Sequence, residues 1–170
     1  MLLTVRSLLI TMEGTMAIAP TLQKYLDQNV TYDVIPHEST MTSMRTAEAC
    51  SISGDCLAKG IVLRRDGGYV LAVLPASHHI QFADLRTQLG DDVALASEDE
   101  IGQLFRDCAR GAVPPVGNCY ALEVVIDDSI REQPEVYMEG GDHATLIHMG
   151  HAQFEQLTGD AQHGRFSAHD

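Results

Sequence analysis

Apolar positions along the chain fall into short runs separated by turn signals, and the period of those runs changes repeatedly. Leu22, Tyr25 and Leu26 share one face of a helix, which Ala19-Pro20 can open because proline suits the first helical position. Thr31 to Ile35 alternates and reads as a short strand, ended by Pro36 and His37. Ser43 is placed to cap a helix running through Cys50. Ala58 to Arg64 and Tyr69 to Leu74 are two apolar runs around Asp66-Gly67-Gly68, the pattern of a β-hairpin.

The spacing of Phe82, Leu85 and Leu89 predicts a helix stopping at Gly90. Ser97-Glu98-Asp99-Glu100 has the form of a capping box, with a helix following through Phe105. Cys108 to Asn118 is irregular and rich in Gly and Pro. Leu122 to Ile126 and Glu135 to Met138 read as strands. Gly140-Gly141 turns the chain into a further strand, Ala144 to His148, and a last helix runs through Phe154 and Leu157. Strands and helices mix without regular βαβ alternation. The expected class is α/β of the α+β type, one compact domain around a mixed, partly antiparallel sheet.

At 170 residues there is chain for one well-cored domain. That domain is expected over residues 17–158, after a loose extension at 1–16 and before a flexible tail at 159–170. Met12 or Met16 is an alternative start. The short N-terminal apolar run is broken by Arg6, with no basic residue before it, which argues against a signal peptide or a spanning helix. The tail is polar throughout most of its length. Aromatic residues are 5% and Trp is absent, so the core must come from aliphatic side chains.

The net charge of -13 weighs against nonspecific nucleic-acid binding, which depends on Lys and Arg neutralising phosphates. An RNA partner would have to be gripped locally, by a small basic patch such as Arg64 and Arg65 and a pocket for one terminal nucleotide. The four cysteines form no CxxC pair and fit free thiols in a reducing cytosol.

Three features bear on chemistry. Lys59 begins an apolar strand beside Gly60. A partly desolvated ammonium there can hold an anionic or carbonyl oxygen, although a strand-end lysine reaching to water has the same pattern. Gly111-Ala112-Val113-Pro114-Pro115 is a stiff loop able to present a row of main-chain groups, or an ordinary turn. Gly140-Gly141-Asp142-His143 is a turn with an imidazole that can position a substrate or serve as a base. No HExxH, nucleophile elbow, Walker loop or GxGxxG is present, and neither metal nor cofactor is expected.

Taken in order, Ala58-Lys59, Tyr69 to Ala76, Gly111 to Pro115, Ile126-Asp127 and Gly140-Gly141 resemble the YbaK/EbsC family. Its members are free-standing relatives of the editing domain of prolyl-tRNA synthetases. The resemblance spans about Leu22 to Leu157. It implies a barrel-like mixed sheet surrounded by helices. It implies a cytoplasmic hydrolase that cleaves the ester of a mischarged aminoacyl-tRNA. The partners it implies are the 3′ terminal adenosine of that tRNA and a synthetase, with no DNA and no membrane. By the same resemblance Lys59 is the catalytic residue, and Gly111, Ala112, Val113, Pro114, Pro115, Gly140, Gly141, His143 and His37 bind substrate. Gly60 stands where many members carry Thr or Asn, and Glu139 stands where the cysteine-releasing members carry Ser. The competing classes are a noncatalytic module binding a small molecule, nucleotide or protein, and a metal hydrolase using His143, His148 and His151.

Overall fold

The computed structural model describes residues 17–170; the extension expected at 1–16 lies outside the described residues. The chain opens with α1 (Pro20–Asn29), with Pro20 in its first turn and Leu22 and Leu26 fully buried. β1 (Asp33–Pro36) follows, then α2 (Ser43–Ala49). Thr42, not Ser43, caps that helix: its hydroxyl accepts from the Arg45 N–H at 3.2 Å.

The hairpin of β2 (Leu57–Arg65) and β3 (Gly68–Pro75) is the centre of the fold. Gly67, at φ +79°, makes the turn between them. β3 is flanked by β2 antiparallel and by β6 (Glu123–Asp127) parallel. Both of its faces are covered, so Val70 through Leu74 form an unbroken buried run. Successive side chains still alternate. Leu71 and Val73 enter the larger core with Leu22, Leu26, Ile126 and Phe154. Val70, Ala72 and Leu74 enter a second core with Leu63, Leu85 and Phe166.

β4 (His78–Ile80) leads into α3 (Phe82–Leu89), which ends on Gly90 at φ +74°. β5 (Ala94–Leu95) pairs with β2. α4 (Glu98–Leu104) starts at the Ser97–Glu100 capping box. After β6 come α5 (Asp128–Arg131), β7 (Glu135–Glu139), β8 (Thr145–Gly150) and α6 (His151–Leu157). The large sheet has the order β1-β8-β7-β2-β3-β6 and ends on β9 (Gln162–Gly164), with β5 beside β2.

The last twelve residues depart from expectation. β9 (Gln162–Gly164) adds a parallel strand to β6, and β10 (Ser167–His169) pairs antiparallel with β4. Between them Phe166 is fully buried in the second core. Its N–H donates to Asp127 Oδ2 at 2.8 Å, and its carbonyl accepts from the Gln81 N–H at 2.7 Å. One large aromatic side chain anchors a segment whose remaining polarity suggested fraying. The segment expected to be a flexible tail is therefore paired into the fold.

The expected basic patch also dissolves. Arg64 pairs with Glu100 at 2.7 Å, and Arg65 bridges Asp91 at 2.5 Å and Glu123 at 2.8 Å. Their charge is matched locally, which leaves little for phosphates.

Candidate active site

Lys59 lies opposite Leu74 in the hairpin. Its ammonium donates to the carbonyls of Ala76 at 3.2 Å and His78 at 2.6 Å. An ammonium has three N–H donors, so these two bonds aim the group and leave one donor for a ligand. Burial pushes its pKa below the usual lysine value, and the Asp170 carboxylate opposes that shift in part.

Gly60, the next residue, faces the Gly111–Pro115 loop. A Cβ on Gly60 would lie 3.3 Å from both Pro114 O and Pro115 Cα, and 3.0 Å from Leu71 Cδ1. The loop therefore sits on the strand that carries Lys59, and glycine is what admits it. A Thr or Asn here would have to displace that loop backbone by a few tenths of an ångström. Gly60→Ala is expected to cost about 1–3 kcal/mol, since loop backbone must move where Leu71 alone could rotate away. Thermal unfolding measures that loss, and an unchanged melting point would contradict the packing.

Gly111 takes φ +82°, and Pro114 and Pro115 are buried behind it. The turn after β7 is organised by the Glu139 carboxylate. Its Oε2 accepts from the N–H groups of Gly141 at 2.8 Å, Asp142 at 3.1 Å and His143 at 3.2 Å. Asp142 in turn accepts from the Ala144 N–H and the Thr145 hydroxyl, each at 2.9 Å. These bonds hold Gly141 at φ +114° and His143 at φ +65°.

Loop and turn are laced together twice. The Ala109 N–H donates to Gly141 O at 2.7 Å, and His143 Nε2 donates to Arg110 O at 2.6 Å. The third side is the segment before α2. The His37 N–H donates to Ala144 O at 2.8 Å and the Thr40 N–H to His143 O at 3.1 Å.

These elements enclose a cavity of about 60 Å³. Of the residues expected to form the site, Lys59, Gly111, Val113 and His143 line it. Ala112, Pro114 and Pro115 support the loop from behind, and Gly140 and Gly141 supply the turn's backbone. His37 is not part of the cavity wall; its Nδ1 meets Glu38 O at 2.7 Å, and its buried Nε2 has no partner among the described residues. The sequence reading missed Thr40, Met41, Thr42, Ser43 and Thr46, which form the rim together with Glu139. The density of hydroxyls just before α2 was the available signal.

Among the described residues no cysteine lines the cavity. Burial pushes Cys108, outside it, up to about 12 and Cys119 up to about 11, far from thiolate at neutral pH. Among the described residues, no rim hydroxyl bonds an imidazole, and no cluster of three or more His, Cys, Asp or Glu could hold a metal ion. His148 sits between Asp33 and Glu135, and His151 faces Glu155, so neither joins His143.

The family model for the aminoacyl-tRNA editing domain matches residues 37–157, which include every residue lining the cavity. The chain belongs to the aminoacyl-tRNA editing domain family. No curated protein matches it. Among solved structures, a protein proposed to be a trans-editing enzyme for prolyl-tRNA synthetase superposes with a TM-score of 0.76 at 24% identity. That match covers 88% of this chain and 96% of the other. A protein described only as hypothetical gives 0.78 at 20% identity over 87% and 99%. A chain from work on epitope backbone grafting onto scaffold proteins gives 0.77 at 22% identity over 88% and 97%. At these identities the superpositions establish a shared fold. Among the described residues, no helix is long and apolar enough to cross a membrane.

Proposed function

We propose that this protein is a trans-acting aminoacyl-tRNA deacylase of the cytoplasm, hydrolysing the ester between a wrongly attached amino acid and the 3′ terminal adenosine. The observation that carries the reading is the cavity that gathers Lys59, the Gly111 loop and the Glu139–His143 turn within the editing-domain match. Ester hydrolysis requires an oriented water and a donor for the oxyanion that develops at the carbonyl. The unused donor of Lys59 suits the oxyanion or the adjacent phosphate. Main-chain groups at Gly111 suit the ester end and the attacking water. With no enzyme nucleophile at hand, water attacks the carbonyl carbon, the ester C–O bond breaks, and the ribose oxygen leaves with a proton.

Grip on the rest of the tRNA is weak by construction. The chain is acidic, and Arg64 and Arg65 are already paired. Near the rim, Arg45 has no ion-pair partner among the described residues, and Arg110 makes only a 3.7 Å contact with Glu98. These two arginines suit the terminal phosphates, and a synthetase suits the role of delivering the tRNA body.

The test is a deacylation assay across a panel of mischarged tRNAs. Cleavage above the buffer rate supports the reading, and none for any member sinks it. Size selectivity is a second expected result. A cavity of about 60 Å³ holds only a few heavy atoms. Alanyl and seryl esters should react at least ~10-fold faster in kcat/KM than leucyl or phenylalanyl esters, because overfilling a pocket costs on the order of 1–3 kcal/mol. Equal rates would contradict the assignment of this cavity to the side chain.

A further inference from the structure

Glu139 does more than tie the turn. Three main-chain N–H groups converge on Oε2, while Oε1 takes no hydrogen bond among the described residues. Glu139 lines the same cavity as Lys59 and His143, and only its Oε2 is taken up by the turn. The other ionisable groups lining it are donors. Lys59 is a cation held by two carbonyls, and His143 donates its Nε2 proton to Arg110 O. Among the described residues Glu139 is thus the one carboxylate lining the cavity, and its Oε1 is not bonded there.

Resting on the deacylase reading, we infer that Glu139 recognises the α-ammonium of the aminoacyl group through Oε1 and makes the site selective for unblocked α-amino esters. An α-ammonium is charged below a pKa of about 8 and pairs with a carboxylate strongly in a confined site. Fixed by three N–H donors, the carboxylate loses little freedom on binding, which favours affinity. Holding the ammonium there sets the ester carbonyl at a defined distance from Lys59. Glu139 is a binding and positioning residue and takes no part in bond making.

The decisive comparison is between two isosteres, one with an α-ammonium and one with an α-hydroxyl. The stable probes are 3′-alanylamido- and 3′-lactylamido-3′-deoxyadenosine, titrated calorimetrically into the full chain at pH 6.5. The reactive probes are alanyl-tRNA and lactyl-tRNA. Wild type is expected to favour the alanyl member of each pair about tenfold, as an intact charge-assisted hydrogen bond requires. In Glu139→Gln the amide oxygen still accepts from the turn, so the melting point should stay close to wild type. Its preference should vanish, with KM for alanyl-tRNA raised about tenfold and kcat changed less than about twofold.

Equal binding of the two probes by wild type overturns the inference without any variant. So does a Glu139→Gln loss that falls equally on both esters, or that falls on kcat, either of which would mark a base or a purely structural group. If wild type discriminates between the amides but hydrolyses neither ester, Glu139 keeps its role and the deacylase reading fails instead.

Discussion

Lys59→Ala is expected to remove deacylation almost entirely, lowering kcat about 10²–10³-fold, while the protein stays folded. That is the usual loss when one preorganised donor to a developing oxyanion is deleted. The ammonium is aimed by the Ala76 and His78 carbonyls, so its third donor is already directed before substrate arrives. Lys59→Met separates charge from packing, since it keeps most of the stem. Burial lowers the pKa of Lys59 in the folded state relative to the unfolded chain. The unfolded chain then binds more protons between that lowered pKa and the ordinary lysine value, and stability contributed by this group rises with pH across that window. At neutral pH burial disfavours the charged lysine, while Lys59→Met leaves the Ala76 and His78 carbonyls without their donor, so the two effects oppose and the variant should melt close to wild type. Activity should run the other way and fall as pH climbs through the lowered pKa, as the ammonium is lost. A variant that stays fully active, or a wild-type alkaline limb no earlier than that of a free lysine, would refute the role.

How far these features could be read in advance depended on whether they were local. The β2–β3 hairpin, the Gly90 stop and the Ser97–Glu100 box are set by neighbours in sequence, and they appear where patterning placed them. The stiff loop from Gly111 and the turn at Gly140 were also visible. Their meeting was not, because it depends on contacts such as His143 to Arg110, 33 positions apart. Gly60 departs from the family pattern, and the loop that rests on it is a tertiary contact that spacing could not show. Arg64 and Arg65 looked like a patch because their carboxylate partners Glu100, Asp91 and Glu123 come from distant positions. His37 is close to the turn in space yet stops short of the cavity, a matter of side-chain direction that spacing does not encode. The C-terminal strands were missed for the same reason. β9 and β10 are three residues each, mostly polar, and held by partners on β6 and β4.

The second large expected effect is on that C-terminal anchor. Phe166→Ala should cost about 3–5 kcal/mol, since a fully buried aromatic leaves a cavity the second core cannot refill. For a domain of this size the melting point should drop by roughly 10 °C. Asp127→Asn should cost about 1–3 kcal/mol, because an amide nitrogen can then face the Phe166 N–H that the carboxylate now accepts. Burial of Asp127 raises its pKa, but the bonds from Ser129, Phe166 and Ser167 outweigh that and leave it below the usual carboxylate value. Its contribution is therefore present above the unfolded pKa near 4 and is lost as pH falls through the lower folded pKa. Wild type should shed stability there on acidification, and Asp127→Asn should lack that step. The damage should also reach the site. β10 pairs with β4, and the His78 carbonyl of β4 is the shorter of the two bonds to Lys59. Phe166→Ala, assayed below its own melting point, should lose kcat more than KM rises, as expected when an aimed donor drifts by a fraction of an ångström. Unchanged kcat in a variant that has lost several kcal/mol would show that the carbonyls of β4 hold Lys59 without help from the C-terminal strands.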